Sequence, residues 1–189
     1  GMNNAQLKSY QKEFELWPYF RCLYARDFLY HLWKLMDNEG AAKLIFFGQD
    51  VGDEEAIRGD LTEFLRFFEP VIPGQRMIIA VEHKTQKEIM GFCWFDTIIA
   101  DVKANFGVFY RQKFWGPDTR SASRAVLDYG FQTWNLQMIY AYTPWQAARQ
   151  HGLAIGMREL CKLPDYVKIK GNAQDVYCLG ISKEQFDGE

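Results

Sequence analysis

The feature that most constrains this chain is a single stretch, residues 105–131, in which a strand pattern runs directly into a helix pattern. Residues 106–110 (FGVFY) are apolar and aromatic, which is typical of a strand. The run breaks at Gly116 and Pro117, a pair that interrupts regular backbone. Apolar residues then recur at helical spacing over residues 122–134. The stretch therefore predicts a strand, a tight glycine turn and the start of a helix.

The start of this helix is a candidate anion site. Asp118, Thr119 and Ser121 are all natural N-caps, so the helix is predicted to begin among them. Such a turn gathers unpaired backbone N–H groups at the positive end of a helix, which suits a phosphate. Junctions of this kind are also common in proteins that bind no phosphate, so the pattern alone leaves both interpretations open.

The specific residues resemble a known family. Residues 107–116, GVFYRQKFWG, are similar to the end of the fourth strand and the acetyl-CoA loop of the GNAT N-acetyltransferases. The similarity is greatest to the branch that acetylates the N-termini of ribosomal proteins, where the run is G-Y-W-L-R-P-E-Y-W-G. Residues 124–131, RAVLDYGF, resemble the R-A-L-L-D-Y-A-F helix of that branch. The matching positions are Gly107, Arg111, Trp115, Gly116, Leu127, Asp128, Tyr129 and Phe131.

The resemblance implies a fold, a cofactor and a reaction. The implied fold is α+β, with a central mixed and mostly antiparallel sheet of about six or seven strands flanked by about four helices. Acetyl-CoA would lie where the fourth and fifth strands splay apart, and a primary amine of a protein N-terminus or a small molecule would attack the thioester directly. The residues that the resemblance places at acetyl-CoA are Val108, Phe109, Tyr110, Arg111, Trp115, Gly116, Asp118, Thr119, Arg120 and Ser121.

The loop after Gly116 departs from the family pattern, which has a second glycine and one more residue before the helix. This chain has Pro117, which lacks an N–H donor, and Asp118, whose charge would repel a pyrophosphate. Arg120 could offset that repulsion. A second hypothesis is therefore a GNAT-like domain that has lost catalysis and serves as a binding or assembly module, a degenerate type that some phage-encoded chains resemble.

The catalytic residues are less well marked. The second family signature places Trp145 at its asparagine and Gly152 where many members have a tyrosine acid, although the ribosomal-protein branch often lacks that tyrosine too. His151 could substitute as an acid or base because its side chain titrates near neutral pH, yet a lone histidine is more often structural. Strand alternation could also point Tyr140 or Tyr142 into the cleft. His151 and Tyr142 are the candidates retained.

The remaining patterns give the order of elements. The predicted strands are 13–17, 77–82, 89–95, 136–143, 157–163, 166–170 and 175–182, and the predicted helices include 28–36, 57–68 and 145–155. Gly91 marks a bulge or a close backbone approach within its strand. Residues 1–11 are interpreted as a loose N-terminus whose Gly1 remains from an expression tag, and residues 12–189 as a single GNAT-like domain.

Composition argues against several other classes of protein. The net charge is −2 and no basic cluster is present, which disfavours a nucleic-acid partner. No apolar run approaches the roughly 20 residues that span a bilayer. The four cysteines form no C-x-x-C pair, so neither a metal site nor a disulfide framework is expected. A reducing, cytoplasmic location follows as the expectation, and a homodimer is left open.

Overall fold

The described part of the chain is organised around a seven-stranded sheet. The structure is a computed structural model that describes residues 14–19, 76–83, 85–169 and 171–188. The helices expected at 28–36 and 57–68, and the N-terminal residues 1–11, lie outside the described residues. The elements in chain order are β1 (Phe14–Tyr19), β2 (Met77–His83), β3 (Glu88–Ile99), β4 (Lys103–Tyr110), a 3-10 helix (Gln112–Phe114), α1 (Pro117–Trp134), β5 (Met138–Thr143), α2 (Gln146–Ala154), β6 (Arg158–Ile169), β7 (Asn172–Ser182) and α3 (Lys183–Asp187).

The sheet is mixed and mostly antiparallel, as expected. Its strand order is β1-β2-β3-β4-β5-β7-β6. Every neighbouring pair is antiparallel except β4 and β5, which run parallel and are connected through α1. The α+β fold inferred from the sequence is confirmed.

The hairpin of β2 and β3 carries the irregularity that Gly91 predicted. Val81 pairs with Gly91 and Glu82 with Ile89, so the pairing register shifts by one residue at Met90. A Cβ atom at Gly91 would overlap the carbonyl oxygen of Phe109 on β4. Both expectations for this glycine, a bulge and a close backbone approach, are therefore confirmed.

Helix α1 packs its apolar stripe against the sheet. Val126, Leu127 and Phe131 are almost fully buried in the same core as Phe95 and other residues of β2, β3 and β4. Each such side chain contributes about 1.5–3 kcal/mol through removal of apolar surface from water. This packing fixes the start of α1 beside the end of β4, which is where the candidate site lies.

Three predicted strand boundaries were wrong: β3 runs to Ile99 instead of ending at Phe95, and the other two lie at prolines. The first strand was expected to end before Pro18, but β1 runs through it to Tyr19. The strands expected at 157–163 and 166–170 form the single strand β6, whose pairing with β7 is irregular between Leu163 and Val167, around Pro164. β1 and β6 both lie at an edge of the sheet formed by the described residues, and an edge strand tolerates a proline because one row of its N–H groups needs no partner.

None of the helices in the described ranges is both long and apolar enough to cross a bilayer. The homodimer stays a prediction.

Candidate functional site

The site begins where two parallel strands part. β4 and β5 are paired only through Lys103, Ala104 and Asn105, opposite residues 138–140. Beyond that point β4 continues beside β3 and β5 continues beside β7. The two strands therefore diverge from Phe106 onward and leave a wedge in the sheet, which is the splay that the sequence resemblance implied.

A cavity of about 520 Å³ occupies this wedge. Its volume lies in the range of about 300–1,000 Å³ that is usual for small-molecule sites. Seven of the residues that the resemblance placed at acetyl-CoA line this cavity: Val108, Phe109, Tyr110, Trp115, Gly116, Thr119 and Arg120. Both catalytic candidates, Tyr142 and His151, line it as well. Sequence reasoning gave no ligand role to Trp94 and Ala148, which also face the cavity because β3, β4 and α2 converge there.

Gly116 is the N-cap of α1, with φ 139° and ψ −147°, a region of backbone space that is essentially restricted to glycine. The prediction of Asp118, Thr119 or Ser121 as the cap was wrong, because Pro117 already occupies the first helical position. The Thr119 hydroxyl donates to the Gly116 carbonyl at 3.0 Å and lies 3.2 Å from the Gly116 N–H. This interaction holds the turn closed without a side chain on the capping residue.

Three of the predicted cofactor residues do not line the cavity. Arg111 donates from Nη1 to the carbonyl of Ile89 at 3.1 Å. The Asp118 carboxylate lies 3.2 Å from Nε2 of His83. The exposed side chain of Ser121 is also absent from the lining. The resemblance places these three residues at the ligand through their backbone groups, so their placement at acetyl-CoA stays a prediction.

The charge of the described lining favours an anion at the start of α1. Arg120 is the one lining residue, within the part of the chain that the structure describes, with a permanently charged side chain. The Asp118 carboxylate, which the sequence suggested would repel a phosphate, is beside His83 instead. The N–H groups of Asp118 and Thr119 lie in the first turn of α1, where a helix offers them no carbonyl acceptor.

His151 ends a buried row of hydrogen-bonding side chains. Its Nε2 lies 2.8 Å from the Ser123 hydroxyl, which lies 2.8 Å from the Tyr110 hydroxyl. The Tyr110 hydroxyl lies 3.2 Å from the Cys93 thiol. Burial, with a further contribution from Arg120, lowers the pKa of His151 to about 4. The imidazole is therefore neutral at pH 7.

The other two titratable groups of this row are also neutral. Burial raises the pKa of the Cys93 thiol to about 12. Burial, together with the neighbouring Cys93, holds the pKa of Tyr110 well above its ordinary value. The row carries no charge at neutral pH, so it can orient a hydrogen bond without placing an ion in the core.

Tyr142 lines the opposite side of the wedge. Burial and the adjacent Cys178 raise the pKa of Tyr142 to about 12, so its phenol is a proton donor rather than a base. Tyr140 is not among the lining residues.

Cys178 is paired in register with Cys161 across β6 and β7, a proximity that their separation in the sequence did not indicate.

Gly152 lines the cavity at the position where many GNAT enzymes carry a tyrosine acid. A Cβ atom there would overlap Cδ1 of Leu179, so the space for a larger residue is already filled. Trp145, at the position of the family asparagine, also faces the cavity. The described residues include no group of three His, Cys, Asp or Glu side chains placed to hold a metal ion.

Solved structures provide the comparison for this wedge, cavity and element order. The fold is that of the GNAT N-acetyltransferases. The spermidine N-acetyltransferase of Vibrio cholerae, in complex with CoA and spermine, has a TM-score of 0.67 at 18% identity, over 90% of this chain and 97% of that one. A GNAT-family acetyltransferase from Bacillus anthracis has a TM-score of 0.63 at 17% identity, over 89% of this chain and 95% of that one. These structures do not support the ribosomal-protein branch.

Sequence comparison adds nothing to the assignment of the GNAT fold. A scan against models of protein families finds no match, and a search among curated proteins finds none either.

Proposed function

We propose that this chain is an acetyl-CoA-dependent N-acetyltransferase that transfers the acetyl group to a primary amine. The observation that carries the proposal is the wedge between β4 and β5, because its cavity runs beside the start of α1 at Gly116. The narrow pantetheine arm suits the wedge, and the pyrophosphate suits the helix start. The similarity to GNAT structures, one of them in complex with CoA, supports the same ligand.

The cofactor would be held largely by backbone. From Phe106 onward the edge of β4 that faces β5 has lost its strand partner, so the edge groups of residues 108–111 can pair with the amides of the pantetheine arm. The amides of Asp118 and Thr119 would meet the pyrophosphate. Arg120 would add the charge-assisted contact that the missing family glycine does not supply.

The reaction requires two proton transfers, one from the nitrogen of the attacking amine and one to the sulfur of the departing thiolate. The acceptor amine forms the new C–N bond with the thioester carbon, the C–S bond breaks, and the departing thiolate takes up a proton. Tyr142 is proposed as the donor to the thiolate because its phenol is protonated and lines the cavity, and the resulting phenolate regains a proton from water. The excess proton on the amine passes to water, since Tyr142 and the neutral His151 are both poor bases at pH 7.

The acceptor is proposed to be a protein N-terminus or a small amine. The rings of Trp94, Phe109 and Tyr142 line the cavity. Among the described lining residues there is no Asp or Glu to bind a second cationic group. The described part of the site therefore favours an amine with an apolar neighbour over a polycation.

The alternative is a GNAT-like module that binds but does not catalyse. Pro117 removes one amide from the helix start, and Gly152 leaves no hydroxyl at the position of the tyrosine acid. These two residues favour loss of activity, and neither of them removes the wedge that would hold the cofactor. The two proposals therefore differ in turnover rather than in binding.

The test is a thiol-release assay with acetyl-CoA and a panel of amines. The panel contains a peptide with a free N-terminus, an aromatic monoamine and a polyamine, each matched to its N-acetylated form as a control. Release of CoA that requires both folded protein and a free amine is the expected result. Cofactor binding with no release for any class of amine would support the binding module instead.

A further inference from the structure

The hydrogen-bonded row from Cys93 to His151 has no part in the function proposed above. It crosses four elements, since Cys93 lies on β3, Tyr110 on β4, Ser123 on α1 and His151 on α2. Ser123 is fully buried and does not line the cavity, whereas His151 does. One nitrogen of the imidazole, Nε2, is thus bound to the protein interior, while His151 itself lines the cavity.

The chemistry of the row sets the direction of its hydrogen bonds. A phenol is a better donor than an alcohol, and the lone pair of a neutral imidazole is a strong acceptor. The expected arrangement is therefore that the Tyr110 hydroxyl donates to Ser123 and the Ser123 hydroxyl donates to Nε2 of His151, across separations of 2.8 Å that fit either direction. When Nε2 is an acceptor in a neutral imidazole, the proton resides on Nδ1. The row thereby selects one tautomer of His151.

We propose that Ser123 and Tyr110 are positioning residues that hold His151 as a neutral Nδ1–H donor for a carbonyl oxygen of the acyl-pantetheine ligand. The inference rests on the proposed function only for the identity of that ligand. A fixed neutral imidazole can polarise a carbonyl without first losing or gaining a proton. No other described group forms a hydrogen bond with the His151 ring, so Nδ1 has no competing partner among the described residues.

The surroundings of His151 keep this donor neutral. The charged or titratable groups that face it are Arg120 from α1 and Tyr110 from β4, with Cys93 behind Tyr110. Arg120 and burial both disfavour the imidazolium. Arg149, on the same helix as His151, donates to Glu159 at 2.6 Å and is thereby engaged at the surface. From about pH 6 to 8 the ring is expected to carry one proton.

The tautomer can be measured directly by long-range ¹H–¹⁵N correlation on protein labelled at histidine nitrogen. The chain has three histidines, and His151→Gln identifies the signal of interest. The expected spectrum at pH 7 shows His151 neutral with its proton on Nδ1. In Ser123→Ala this preference is expected to be lost, whereas Ser121→Ala, an exposed serine on the same helix, leaves it unchanged. Tyr110→Phe provides a second variant that weakens the row but keeps Ser123.

Ligand titration tests the donor role. Addition of CoA and of acetyl-CoA is expected to shift the His151 Nδ1–H signal in the wild type, and kcat is expected to fall roughly tenfold in Ser123→Ala with KM for acetyl-CoA little changed. A proton on Nε2, an imidazolium at pH 7, or an identical tautomer in Ser123→Ala would overturn the proposal. If calorimetry shows that CoA is bound but the His151 Nδ1–H signal does not shift, the donor role is overturned. Absence of CoA binding would refute the proposed function instead, and the ligand-free tautomer would still decide whether the row positions His151.

Discussion

Gly116 sets the direction in which the chain enters α1. Its φ of 139° is strained for any residue with a side chain, although a Cβ atom there would meet no neighbour. Gly116→Ala is therefore expected to cost about 1–3 kcal/mol through backbone strain alone. Urea unfolding measures the loss, and calorimetry should show weaker binding of acetyl-CoA because the helix start is displaced.

Gly171→Ala is the matched control for this change. Gly171 has φ 81° and open space around it, but it lies in the turn between β6 and β7, away from the cavity. It should lose stability by a comparable amount and bind acetyl-CoA normally. Equal loss of binding in both variants would show that Gly116 matters only for stability.

Arg120 is the residue expected to recognise the charge of the cofactor. Arg120→Gln should weaken CoA binding about tenfold or more, since a hydrogen bond to a charged group contributes about 1.5–3 kcal/mol. Arg149→Gln, which removes an arginine paired with Glu159 at the surface, is the control. Calorimetry at low and high salt compares the two variants. Unchanged affinity in Arg120→Gln would place the pyrophosphate elsewhere.

His151 links stability to pH. Its pKa is about 4 in the folded protein and 6.5 by reference for an unfolded chain. Between these values the unfolded chain binds a proton that the folded chain does not, so the stability from this group is complete above pH 6.5 and is lost as the pH falls. Wild type should lose about 2 kcal/mol more than His151→Gln between about pH 7.5 and pH 5. Urea unfolding at both pH values measures this loss of stability, and an equal loss in wild type and His151→Gln would contradict the prediction.

At the scale of elements, the site depends on β4 and β5 exchanging partners after residues 103–105. Ala148 on α2 lines the resulting cavity, so a larger side chain there would fill the space proposed for the pantetheine arm. Ala148→Phe is expected to lower CoA affinity more than tenfold while leaving the thermal midpoint within a few degrees.

Ala173→Phe, on the exposed part of β7, is the matched control and should bind CoA like the wild type. Thermal unfolding and calorimetry on both variants test the prediction. Normal binding by Ala148→Phe would place the ligand outside the wedge.

The sequence predicted the elements well wherever local pattern decides them. The alternation in residues 138–143 set Ile139 and Ala141 on one face and Tyr140 and Tyr142 on the other. Ile139 is buried, and of the two tyrosines it is Tyr142 that lines the cavity. The pattern failed at Pro18 and Pro164, because whether a proline ends a strand depends on whether that strand lies at a sheet edge. Edge position is set by pairing across the whole sheet and is not encoded in a local window.

The candidate site was predictable in part for the same reason. The contiguous run from Val108 to Arg120 was found because strand, turn and helix are adjacent in sequence. The row of Cys93, Tyr110, Ser123 and His151 was not found, because its members come from four elements and meet only in the folded core. Nothing in the spacing of a buried serine or cysteine distinguishes it from ordinary packing.

At the scale of the whole molecule, this chain has the GNAT fold although it is only 18% identical to the spermidine N-acetyltransferase over 90% of its length. The sequence resemblance lies mostly between residues 107 and 131, where glycine and aromatic positions are tied to the wedge and the helix start. The rest of the fold follows from the order and period of its elements, which many sequences satisfy.

The most direct test of the central claim is a crystal structure of the protein soaked with CoA. The account predicts the pantetheine arm between β4 and β5, with its amides paired to the β4 backbone and the pyrophosphate at the start of α1 within reach of Arg120. A fully occupied CoA bound elsewhere, or a wedge that stays without CoA at millimolar cofactor, would contradict it.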